Sequence, residues 1–76
     1  MNKGRRTSLK QATHLLDQAI DIVRDAKDDE QESLDNLPEN LQNSDRYESM
    51  ESAIDSLEEA IELIDGAKDS INEAIA

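Results

Sequence analysis

Apolar residues recur every three or four positions along nearly the whole chain, and a single proline interrupts them. Such spacing gathers apolar side chains on one side of an α-helix. In the first run, Leu9, Ala12, Leu16, Ala19, Val23 and Ala26 alternate steps of three and four, while Leu15, Ile20, Ile22 and Leu34 widen the stripe. Asn36-Leu37-Pro38 closes this run, because proline disfavours helical geometry at the residue before it. The second run is Tyr47, Met50, Ile54, Leu57, Ile61, Ile64, Ile71 and Ile75, interrupted by Lys68. Two helices of matched length, each about 45 Å by helix rise, predict an all-α, coiled-coil-like antiparallel hairpin. The expected boundaries are a basic arm over 1–7, a helix over 8–36, a connector over 37–44 and a helix over 45–75. Ser8 with Gln11 reads as a capping box at the first helix, with a start near Asn2 as the alternative. Asp45 with Glu48 is the corresponding pair at the second.

Alanine suggests how the helices meet. Ala12, Ala19 and Ala26 recur every seven residues, as do Ala53, Ala60, Ala67 and Ala74. Folding the chain about Asn43 sets Ala12 against Ala74, Ala19 against Ala67, Ala26 against Ala60 and Ser33 against Ala53. Facing small residues would draw the axes toward the short end of the usual 8–10 Å, and Gly66 would fit the same approach. A lone hairpin cannot cover such wide apolar faces, and Leu15, Ile20, Ile22, Leu34, Leu63 and several isoleucines of the second helix would stay exposed. The expectation is a homodimer forming a four-helix bundle, or a larger oligomer.

The rest of the composition removes whole classes of function. Two glycines and one proline in 76 residues are too few for a strand-and-turn fold. Without cysteine there is no disulfide framework and no thiolate zinc site. Acid pairs such as Asp21 with Asp25 and Asp28 with Glu32 lack the loop of a calcium site and read as a solvated face. His14 has no thiol nucleophile to serve and reads as a boundary residue. The expectation is a non-enzymatic protein without metal or cofactor. No apolar run reaches the length of a membrane span, so a cytoplasmic protein is expected.

The net charge of −11 is unevenly divided. Residues 1–16 hold Lys3, Arg5, Arg6 and Lys10 and no acid, giving +4. Residues 17–76 hold all 19 acids against Arg24, Lys27, Arg46 and Lys68, giving −15. So acidic a body repels nucleic acids and anionic membranes, and neither is expected as a direct partner. Arg46 and Tyr47, beside the connector, could hold a phosphate and stack on a base. Tyr47 could equally plug the end of the hairpin, since it lies on the stripe of Met50 and Ile54. Arm and connector lie at opposite ends of one hairpin. Only a second, antiparallel hairpin would unite Lys3, Arg5, Arg6, Lys10, His14, Arg46 and Tyr47 in a composite ligand site.

The connector Asn36-Leu37-Pro38-Glu39-Asn40-Leu41-Gln42, with Ser44, Arg46-Tyr47-Glu48 and Met50-Glu51, forms a signature. Together with the opening Met1-Asn2-Lys3-Gly4-Arg5-Arg6, it resembles small helical-hairpin proteins of phages and prophages of Gram-positive bacteria. The resemblance implies action in the bacterial host cytoplasm. It also sets an anti-defence context, in which the chain could sequester a nucleotide immune signal, a cyclic oligonucleotide or cyclic ADP-ribose. That role is by analogy with anti-CBASS and anti-Thoeris sponge proteins. The alternatives are an acidic DNA mimic that inhibits a host defence nuclease and a structural coiled-coil adaptor.

Overall fold

The computed structural model describes residues 1–76, which form helix α1 (Lys3–Asp35), a 3-10 turn (Glu39–Leu41) and helix α2 (Asp45–Ile75). The two helices pack side by side as a hairpin, in a rod of 60 × 15 × 12 Å. No strand is present.

Helix α1 begins earlier than the Ser8 box predicts. Asn2 is the cap, and its side chain accepts the Arg5 N–H at 2.8 Å. The arm is therefore helical, and Ser8 lies inside the helix. At the other end the Asn36 N–H still reaches Glu32 O at 3.1 Å, and the Leu37 N–H turns back to Leu34 O at 3.2 Å. Pro38 has no N–H to continue the ladder. The connector tightens into one 3-10 turn, closed by the Leu41 N–H on Pro38 O at 2.9 Å. Ser44 then caps α2: its hydroxyl oxygen accepts the Tyr47 N–H at 3.3 Å while its O–H donates to Leu41 O.

The register follows from two ion pairs. Lys68 meets Asp17, and Lys27 meets Glu58 at 3.7 Å. An advance from 17 to 27 on α1 thus matches a retreat from 68 to 58 on α2, and the chain folds midway between Gln42 and Asn43. By the same matching, Ala76 comes level with Leu9. The preceding turns of α1 run past the end of α2, and Lys3–Ser8 are exposed throughout.

The seam uses the bulky residues. On α1 it follows Leu9, Thr13, Leu16, Ile20, Val23, Lys27, Glu30 and Leu34; on α2 it follows Tyr47, Met50, Ile54, Leu57, Ile61, Ile64, Lys68, Ile71 and Ile75, all buried or half-buried. Ile20, Leu34 and the isoleucines of α2, expected to remain exposed, are buried or half-buried. The alanines do not face one another. Ala26, Ala53, Ala67 and Ala74 are exposed, while Ala12, Ala19 and Ala60 only flank the seam. Burial of apolar area favours Leu, Ile and Val over Ala, so the alanine rows rotate outward. Gly66 serves no close approach either, since a Cβ there would meet nothing within 4 Å. Gly66→Ala is therefore expected to stabilise the chain by about 1 kcal/mol, the helix-propensity difference, and thermal unfolding measures it. A loss of stability would mean that Gly66 is enclosed in the folded protein.

Candidate functional site

The two ends of the rod differ in chemistry. At the connector end, Leu34, Leu37, Met50 and Ile54 form a buried cluster, with Leu41 and Tyr47 packed against it. Tyr47 is half-buried there and borders a cleft with Asp35, Glu39, Gln42 and Asn43. Arg46 opens onto a different cleft, with Asp29, Glu32 and Ser33. Neighbouring helical residues diverge by about 100°, so Arg46 and Tyr47 do not converge on one pocket. Each is surrounded by carboxylates.

At the other end Lys3, Arg5, Arg6 and Lys10 are exposed and form no ion pair with any carboxylate; Arg6 Nε donates to Met1 O at 3.3 Å. His14 is exposed, with Nε2 at 3.3 Å from Gln18 Nε2. Of the seven residues proposed as a composite site, five lie on the first half of α1 and two at the start of α2. Most of a 60 Å rod separates the groups. Within one chain the composite site does not exist.

The long faces carry a pattern that appears only once the seam is known. Antiparallel helices rotate in opposite senses along their own chains. The position after each seam residue therefore falls on the same broad side of the hairpin in both helices. On that side α1 presents Asp17, Asp21, Arg24, Asp28, Gln31 and Asp35. Helix α2 presents Glu48, Glu51, Asp55, Glu58, Glu62, Asp65 and Asp69, an unbroken carboxylate column. The ion pairs agree: seam lysines Lys68 and Lys27 lean to this side, onto Asp17 and Glu58. Arg24, Lys27, Glu58 and Glu62 line one cleft there, joining both helices.

The position before each seam residue marks the opposite side. There α1 presents Ser8, Ala12, Leu15, Ala19, Ile22 and Ala26, and α2 presents Ala53, Ser56, Ala60, Leu63, Ala67, Ser70 and Ala74. Leu15, Ile22 and Leu63, 55%, 70% and 67% exposed, all lie on this side. The cleft shared by Asp29, Ser33 and Arg46 sits at its connector end. The hairpin is thus two-faced, acidic on one side and small and apolar on the other.

Three of the four cations in the body are committed to carboxylates of the same chain: Arg24 to Asp21 at 3.8 Å, Lys27 to Glu58, and Lys68 to Asp17. The hydrogen bond to Asp17 holds the Lys68 ammonium above its ordinary value of 10.5, helped by the charges of Asp17, Asp65 and Asp69 and opposed by partial desolvation. No group of three or more His, Asp or Glu side chains could hold a metal ion. No helix is long and apolar enough to cross a membrane. Comparison with protein-family models, curated proteins and solved structures finds no match for the chain.

Proposed function

We propose that the chain is a non-enzymatic binding protein that offers its carboxylate face to a basic partner surface, as an acidic mimic of nucleic acid. The carboxylate column of α2, flanked by that of α1, carries this reading. The face carries eleven carboxylates less Arg24, Lys27 and Lys68, eight net negative charges over Glu48–Asp69, about 32 Å by helix rise. That is one net charge every ~4 Å, near the ~3.4 Å per charge along one DNA strand. A partner built to bind nucleic acid would meet a familiar charge density on a surface it cannot cleave. In the setting implied by the phage-protein resemblance, such a partner is a host defence nuclease.

A second reading rests on the unpaired cations of the arm. Lys3, Arg5, Arg6 and Lys10 are free to bind phosphates, and a second copy could bring Arg46 and Tyr47 beside them. In that form the protein would sequester a cyclic nucleotide or cyclic ADP-ribose signal.

One comparison separates the two. Tagged protein captures partners from a bacterial lysate at low salt, and duplex DNA is added as competitor. The mimic reading expects a retained basic protein that duplex DNA displaces. It also expects loss of capture by the combined variant Asp21→Asn, Asp55→Asn, Glu58→Gln and Glu62→Gln. Calorimetry against cyclic di- and trinucleotides and cyclic ADP-ribose isomers should give no heat. Nucleotide binding that disappears in Arg5→Ala, Arg46→Ala or Tyr47→Ala, with capture unaffected by the amide variant, would replace the mimic with the sponge.

A further inference from the structure

Helix α1 carries its charges the wrong way round for its own dipole. Its first turn holds Lys3, Arg5 and Arg6 and no acid, and its last turn holds Glu32 and Asp35 and no base. A helix N-terminus favours anions and a C-terminus cations, so both ends of α1 are unfavourable in the lone hairpin. Nothing within the chain relieves the N-terminal end, because the first turns of α1 overhang α2; at the other end the one base nearby is Arg46, in the cleft with Asp29 and Glu32.

The exposed side of α1 is also nearly symmetric in sequence. Counting outward from Ala19, Leu15 balances Ile22, Ala12 balances Ala26, and Ser8 balances Asp29. Laid antiparallel on a copy of itself, the row sets Leu15 against Ile22 and Ala12 against Ala26, with Ala19 on the two-fold axis. Layers of large residues, Leu15 with Ile22, then alternate with layers of small ones, Ala12 with Ala26 and Ala19 with its own copy. The overhanging Lys3, Arg5 and Arg6 of each copy run alongside residues 28–35 of the other, a stretch with five carboxylates and no base. A parallel pairing would instead stack arm on arm.

We propose that two hairpins dimerise antiparallel through the small-residue face, α1 against α1 about Ala19, with each basic arm docked on the acidic connector end of the second copy. The occupant is fixed by self-complementarity of shape and of charge together. The face measures about 900 Å² in flat outline, from the 60 × 15 Å rod. A stable interface takes about 800 Å² per partner, so the face is large enough. The single chain needs this cover: only six residues are buried, and the exposed Leu15, Ile22 and Leu63 all enter the interface. Both carboxylate faces stay outward, so the dimer is compatible with, and independent of, the acidic-mimic reading.

Native mass spectrometry and light scattering of the full chain test the assembly, and cysteine scanning tests its geometry in a protein that has no cysteine. The expected mass at micromolar concentration is twice 8.5 kDa. Ala67 lies within one residue of the level of Ala19, so both approach the two-fold axis. Ala19→Cys and Ala67→Cys should each oxidise to a covalent dimer that remains helical, while Ala53→Cys stays reduced. Ile22→Asp should weaken association roughly 30-fold or more, the scale of an interface hot spot. Arg5→Glu with Arg6→Glu should weaken it further as salt is lowered. A helical monomer at all concentrations up to millimolar would overturn the proposal. So would a dimer that Ala53→Cys traps and Ala19→Cys does not.

Discussion

Ile54→Ala is expected to lower stability by about 2–5 kcal/mol, the range for truncating a buried isoleucine. Ile54 is 5% exposed and touches the cluster of Leu34, Leu37 and Met50, where the connector returns the chain onto itself. The deleted carbons lose their transfer free energy and leave a void that the Pro38 turn is poorly placed to fill. In a chain with six buried residues the loss falls on a small total, because small domains have little stability to spare. Thermal and urea unfolding by circular dichroism would measure it. The melting temperature should drop by roughly 10 °C or more, at ~4–8 °C per kcal/mol for a domain of this size. A cost below about 0.5 kcal/mol, the range of an ordinary surface change, would mean that the cluster is not packed as described.

The hairpin itself was legible because its signals are local. Three-and-four spacing names a helix and Leu37-Pro38 stops one; α2 runs over the expected residues 45–75, although its cap is Ser44 and not the Asp45 of the expected cap pair. The start of α1 was less so. Two capping residues, Asn2 and Ser8, stand one and a half helical turns apart, and Ser8 has the fuller motif. Asn2 prevails because Lys3-Gly4-Arg5-Arg6-Thr7 contains nothing that stops a helix, so the run extends to the outer cap.

The alanine rows show where periodicity fails. Ala12, Ala19 and Ala26 share their three-and-four rhythm with Leu9, Leu16 and Val23, three positions earlier, and Ala19 and Ala26 lie one position from the seam residues Ile20 and Lys27. Rhythm cannot say which of two adjacent stripes faces the partner helix. Side-chain volume decides it, since Ile20 and Ile54 bury far more apolar area than any alanine. The same ambiguity hid the acidic face. Net charge was plain from the sequence, but its confinement to one broad side emerges only when the seam is fixed to within one residue. The composite pocket is a different case: its cations lie far apart in the chain, so it needs the second copy that the sequence reading requires, and the single hairpin neither forms nor excludes it.

The double variant Asp25→Lys, Asp55→Lys is expected to raise stability by about 2–6 kcal/mol. Asp25 has Asp21, Asp28 and Asp29 as its three- and four-residue neighbours, and Asp55 has Glu51, Glu58 and Glu59. Each such like-charge pair costs about 0.2–0.5 kcal/mol, and reversing the central charge converts it to an attraction of similar size. Three pairs at each site give roughly 1–3 kcal/mol per substitution. The two sites lie on different helices and share no neighbour, so their effects should add. Melting at low salt would show the gain, and high salt should shrink it by screening both repulsion and attraction. A drop in stability would mean that these carboxylates have favourable partners in the folded assembly. If the gain appears, the acidic face works against the fold and its charge serves something other than stability. Asp55 lies in the carboxylate column, so Asp55→Lys alone should then also weaken capture of a basic partner, gaining stability as it loses binding, a combination that a merely solubilising surface would not produce.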